Sequence, residues 1–79
     1  MIITDHAIKE MEQSSITEGE VKNCILNGKR IIKQLVKNEM RYGNQLELKD
    51  KKIIVIYTYN NNNEERIITT YPVRRKKQW

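Results

Sequence analysis

The sequence predicts an α+β fold, with two N-terminal helices packed on a curled four-stranded antiparallel sheet. Three observations carry this. Residues 17–28 hold a helix with clear start and stop signals. At Lys29 the hydrophobic period changes to two and stays there. The connections between later apolar segments are short, and strands joined by short turns run antiparallel. At 79 residues the chain has room for one domain, 1–79. With 38% apolar residues and no Phe, one thin core of Ile, Leu, Val, Met and Tyr is expected, with the helices covering one face of the sheet.

The first helix is expected to start at Thr4 or Asp5, since either side chain can accept a hydrogen bond from a free first-turn amide. Ile8 and Met11 lie three apart and are expected on its inner face. Ser14 and Ser15 compete for backbone bonds and end it. The second helix spans 18–27. Thr17 and Glu20 fit a capping box, and Ile16 before the cap can staple to Val21. Val21, Cys24 and Ile25 follow at helical spacing, and Asn27-Gly28 predicts a left-handed stop. Arg30 to Val36 is the first expected strand. Met40 to Leu48 is the second, with Met40, Tyr42, Leu46 and Leu48 alternating against polar neighbours. After a turn at Asp50, Ile53 to Tyr59 is apolar on both faces and reads as a central strand. Asn60 to Asn63 form a loop. Arg66 to Val73 is the last strand, with Ile67, Thr69, Tyr71 and Val73 on one face and Arg66, Ile68 and Thr70 on the other. Pro72 cannot donate to a ladder and marks an edge or an end.

Fifteen basic and ten acidic residues give a net charge of +5, which favours an anionic partner such as nucleic acid or an acidic protein. Arg74, Arg75, Lys76 and Lys77, with Trp79 at the tip, form a basic tail that fits RNA: cations neutralise phosphate and an indole stacks on a base. The lone Cys24 permits no internal disulfide and no cysteine metal site, and falls on a helical apolar stripe as a small core residue. No run of 18 apolar residues exists, and the N-terminus lacks the basic start and apolar stretch of a signal peptide. A cytoplasmic chain without a membrane partner is expected, and nothing in the sequence sets an oligomeric state.

His6 is the only histidine. It falls in the first turn of the first helix, where unpaired amides and the helix dipole favour an anion. Glu10, four residues on, shares its face and could orient the ring or act as a base. Arg41 and Arg66 can pair bidentately with phosphate, and the Thr69 and Tyr71 hydroxyls can position one. No Gly-rich phosphate loop and no ligand spacing for a metal are present, so no cofactor and no metal are expected.

The segments His6-Ala7…Met11 and Ile16-Thr17…Glu20-Val21, with Ile67-Ile68-Thr69-Thr70-Tyr71-Pro72 at the other end, resemble a family of short bacterial domains of unknown function. Its opening reads roughly H-A-x-x-R-M-x-x-R-G-I-S-x-x-E-V. The match runs nearly the whole chain, in order. The family is similar to the RelE-like and barnase–EndoU–colicin–RelE group of metal-independent ribonuclease toxins. The resemblance implies two helices on a four-stranded antiparallel sheet, and puts weight on His6, Thr69 and Tyr71. Glu10 and Ser14 stand where the family has arginines, and Ser15 where it has glycine.

The expected function is therefore a toxin-like, metal-independent endoribonuclease. The RNA 2′-hydroxyl would attack the adjacent phosphorus, with His6 as acid or base, Arg41 or Arg66 stabilising charge, and Thr69 and Tyr71 positioning the phosphate. An acidic antitoxin protein is the expected protein partner. The alternative is a non-catalytic RNA- or protein-binding module of the same fold, favoured by the absent arginines. A mobile-element protein that only mediates protein contacts is a third possibility.

Overall fold

The computed structural model describes residues 1–73. Its elements are β1 (Ile2–Ile3), α1 (Asp5–Ser14), α2 (Glu18–Asn27), β2 (Lys29–Val36), β3 (Glu39–Glu47), β4 (Lys52–Tyr59) and β5 (Glu65–Val73). The sheet has five strands in the order β1-β5-β4-β3-β2. Four of them pair antiparallel, but β1 pairs parallel with β5 through Ile2 opposite Arg66 and Ile3 opposite Ile67. The sheet is mixed and five-stranded, and the four-stranded antiparallel expectation is corrected. A two-residue strand carries no period, so Ile2–Ile3 reads as a lead into the helix. Only its long-range pairing makes it part of the sheet.

The corner after β1 is pinned by one side chain. The Thr4 hydroxyl accepts from the Ala7 amide at 3.2 Å and donates to the Ile67 carbonyl at 2.8 Å. It thus caps α1 and ties its start to β5. The inner face of α1 carries Ala7 and Met11, four apart, rather than Ile8 and Met11; Ile8 is 42% exposed. The start of α2 agrees with the sequence: Thr17 and Glu20 form the reciprocal capping box. The Lys51 ammonium, from the β3–β4 turn, donates to the Ser15 carbonyl at 2.7 Å and pairs with Glu20 at 3.1 Å. The Thr17 amide, with help from Lys51, holds the Glu20 carboxyl below the usual carboxylate range despite some desolvation. That contribution to folding is in place above the unfolded pKa and is lost as pH falls through the lower folded value.

The end of α2 departs from expectation. Gly28 has φ −74° and ψ 164°, which any residue can adopt, and the left-handed helix end is instead Ser15, at φ 54° after α1. Glycine is required at 28 by proximity. A Cβ there would lie 2.3 Å from the Cys24 carbonyl oxygen and 2.8 Å from that of Gln45. Both are backbone atoms, so α2 and β3 would have to part. Gly28→Ala is expected to cost about 1–3 kcal/mol, which a thermal melt would show as a fall of roughly 5–20 °C for a domain this size.

The core lies between the helices and one face of the sheet, termed the helix face. It contains Ala7, Met11, Ile16, Val21, Cys24, Ile53, Val55, Tyr57 and Ile67. α1 packs on β5, and α2 on β3 and β4. β4 is central and buried on both faces, as its apolar run predicts. In β5 the alternation is broken. Ile56 pairs with Thr69 while Tyr57 pairs with Ile67, so Ile68 is the extra residue of a bulge. Ile67 and Thr70, three apart, therefore both face the helices and are fully buried, while Thr69 and Tyr71 turn to the other, open face. Arg66 shares that open face, opposite Thr58. Pro72 lies beyond the two residues that β1 covers, where β5 is an edge.

Candidate functional site

Two positions with left-handed backbone, Lys37 at φ 49° and Asn38 at φ 65°, make the two-residue turn of the β2–β3 hairpin. Positive φ at both centres matches the turn whose twist suits a hairpin. The β4–β5 loop is tied by Asn60, whose side-chain oxygen accepts from the Asn62 amide at 2.9 Å and the Glu64 amide at 3.0 Å. These two hairpin tips stand at the same end of the sheet, and between them the sheet divides. β3 and β4 pair from Glu47 and Lys52 only as far as Tyr42 and Tyr57. Beyond that, Glu39 stays paired to β2 and Tyr59 to β5. The Thr58 hydroxyl bridges the fork by donating to the Met40 carbonyl at 2.7 Å.

An open cleft of about 460 Å³ occupies the fork, lined among others by Lys37, Glu39, Tyr42, Thr58, Tyr59 and Arg66. On its open-face side, Arg41 Nε donates to Glu39 Oε1 at 3.2 Å, and Arg66 Nη1 lies 3.5 Å from Glu39 Oε2. Arginines from β3 and β5, on either side of β4, thus converge on one carboxylate. All three side chains are about one-third to one-half exposed, and exposed pairs of this kind add only about 0–1 kcal/mol to folding. Stability does not explain why they gather there. Lys37 also lines the cleft, so these three cations outnumber the one carboxylate among them, a balance that favours an anion.

On the helix-face side the cleft is aromatic. The ring centroids of Tyr42, Tyr57 and Tyr59 are 5.7–5.9 Å apart in all three pairs, and the Arg30 guanidinium sits 4.3 Å above Tyr42. Behind them runs a buried polar chain. The Tyr57 hydroxyl donates to Asn44 Oδ1 at 3.0 Å, and Asn44 Nδ2 reaches the Cys24 and Ile25 carbonyls at 3.2 Å each. Both carbonyls belong to the last turn of α2; that of Cys24 also accepts from the Gly28 amide at 2.9 Å, and beyond it helical partners run out.

The sequence-derived candidates divide by place. Arg66 lines the cleft and Arg41 reaches it through Glu39. Thr69 and Tyr71 lie on the same open face, farther along β5 and away from the fork, opposite Ile56 and Ile54. His6 is exposed on α1, in the helical layer, so it stands on the other side of the sheet from both arginines. Arg74, Arg75, Lys76, Lys77 and Trp79 lie outside the described residues. Lys37, Glu39, Tyr42 and Tyr59 were not singled out by the sequence. Their signal is long-range register, which periodicity does not contain. Among the described residues no group of three or more His, Cys, Asp or Glu side chains could hold a metal ion. Cys24 is fully buried, and burial pushes its thiol up to about 11, so it is a core residue and no nucleophile at neutral pH.

Comparison with known protein families gives a match. The model of a domain of unknown function, DUF4258, covers residues 3–72. The chain belongs to this family. No curated protein and no solved structure matches it. The DUF4258 match takes in every described element except the ends of β1 and β5, and so includes the whole fork. Membership of a family of unknown function, expected from the motifs at the two ends of the chain, is thereby shown. Among the described residues, no helix is long and apolar enough to cross a membrane.

Proposed function

We propose that this protein is a metal-independent endoribonuclease with its reactive centre in the fork between the β2–β3 and β4–β5 hairpins. The carrying observation is the convergence of Arg41 and Arg66 on Glu39 at the edge of a positive cleft. Phosphodiester cleavage through the 2′-hydroxyl needs a base and cations for the charge that builds on phosphoryl oxygens. Glu39 takes the 2′-hydroxyl proton as the bond from that oxygen to phosphorus forms. Arg41 and Arg66 meet the non-bridging oxygens. The bond to the 5′ oxygen breaks, and Lys37, which lines the cleft, gives that oxygen its proton. The products are a 2′,3′-cyclic phosphate and a 5′-hydroxyl. The net charge of +5 supports the reading, as does the likeness to small ribonuclease toxins expected of the family that the chain's two ends resemble. A cytoplasmic setting and an acidic antitoxin covering the positive cleft fit the same function.

The test is incubation of the purified protein with single-stranded RNA, with and without a chelator. The expected result is cyclic-phosphate ends at the same rate in both. Strict dependence on added magnesium would remove this chemistry. Because His6 stands across the sheet, His6→Ala is expected to cleave within about twofold of wild type, as surface changes outside a site usually leave function and fold intact.

A second reading, a binding module without catalysis, has one observation in its favour: the only histidine is on the far side of the sheet from the arginines. It predicts salt-sensitive RNA binding with no cleavage at any pH.

A further inference from the structure

The aromatic half of the cleft has a division of labour. Tyr57 is 1% exposed and its hydroxyl is spent on Asn44, so it closes the core. Tyr42 is covered by the Arg30 guanidinium. Tyr59 is 42% exposed and lines the cleft. Its ring is steeply inclined to both neighbours, 65° to Tyr42 and 85° to Tyr57. Steeply tilted contacts of this kind fix a ring's orientation, and the exposed part of Tyr59 lies at the cleft. The two rings that hold Tyr59 are themselves held: Arg30 lies over Tyr42, and Tyr57 is tied through Asn44 to the end of α2. A ring needed only to fill the core would be buried like Tyr57. Partial burial raises the Tyr59 hydroxyl above its ordinary value, so it is neutral at physiological pH and does not repel a phosphate.

We propose that Tyr59 is the stacking surface for one unpaired base of a single-stranded RNA, across the same cleft from the phosphate held by Arg41 and Arg66. This deepens the ribonuclease reading and rests on its RNA substrate. Phosphate contacts alone do not distinguish single strands from duplex. A preset aromatic face does, because paired bases are already stacked on each other. Stacking also accepts every base, so the subsite favours unpaired RNA with little sequence preference.

Two short single-stranded RNAs test it, both 2′-O-methylated to prevent cleavage and labelled for fluorescence anisotropy. One carries bases and the other is abasic at every position. Tyr59→Ala is expected to weaken binding of the base-bearing strand about tenfold, the usual scale for one stacked base, and to leave binding of the abasic strand unchanged. Tyr59→Phe, which keeps the ring, is expected to bind both like wild type. Arg66→Ala is expected to weaken both strands. If Tyr59→Ala binds the base-bearing strand like wild type while Arg66→Ala weakens it, the stacking subsite is overturned and RNA binding at the arginines stands. If wild-type protein binds neither strand at low salt, the stacking subsite and the ribonuclease reading fall together.

Discussion

Glu39→Gln is expected to lower the rate of RNA cleavage by about 100- to 10,000-fold, the range for losing a positioned general base. Glutamine keeps the length of the side chain and an oxygen that can still accept from Arg41 and Arg66, so the hairpin and cleft stay in place. It cannot take the 2′-hydroxyl proton at neutral pH. Arg66→Ala removes one of the two cations and is expected to cost about 100- to 1,000-fold, comparable with deleting one donor to a developing oxyanion. The two changes separate in binding. Arg66→Ala weakens RNA affinity, whereas Glu39→Gln removes a negative charge from a positive cleft and leaves affinity equal or tighter. Rapid-quench cleavage at saturating RNA, with anisotropy for affinity, measures both. Wild-type turnover in Glu39→Gln together with loss of cleavage in His6→Ala would return the base to the helix start and overturn the fork as the reactive centre.

The largest stability effect is expected at Asn44. This side chain is 4% exposed and satisfies three buried groups: the Cys24 and Ile25 carbonyls at the end of α2 and the Tyr57 hydroxyl. Asn44→Leu keeps the volume but removes all three bonds; the Cys24 carbonyl still accepts from the Gly28 amide and the Tyr57 hydroxyl from Arg30, so the Ile25 carbonyl loses most. Unsatisfied buried groups cost about 1–3 kcal/mol each. A total loss of roughly 2–4 kcal/mol is expected, a large share of the about 4–12 kcal/mol available to a domain of this length. The melting temperature should fall by roughly 15–30 °C. Cys24 gives a second readout. Its thiol is fully buried, donating to the Asn44 carbonyl at 3.3 Å, with a pKa raised to about 11 by burial. Alkylation should therefore require opening, and should speed up in the Asn44 variant in step with the lost stability. Tyr57→Phe, which removes one hydroxyl and keeps the ring, should cost only about 1 kcal/mol. A loss under 1 kcal/mol for Asn44→Leu would mean that the last turn of α2 finds other partners when released.

What the sequence determined by itself was local. The Thr17–Glu20 capping box, the period of two from Lys29 and the asparagine loop each arise within a few residues, so local propensity settles them. The central place of β4 was also legible, because only a strand covered on both faces carries an unbroken run such as Ile53 to Tyr57. What the tertiary structure decided was everything that depends on one segment's register against another. β1 is a strand only because Ile2 and Ile3 find β5. The bulge at Ile68 overrode strict alternation, burying Thr70 and turning Tyr71 outward, because the extra residue shifts every later side chain to the other face. Gly28 is needed for the approach of the Gln45 carbonyl rather than for a left-handed turn. Arg41 and Arg66 were visible as cations, but not as partners of Glu39. Their meeting depends on β3 and β5 flanking β4 and on the divergence of β3 from β4 after Tyr42. Pairing between distant segments is fixed by which apolar faces can be buried together, and a linear pattern records the faces without recording which of them meet.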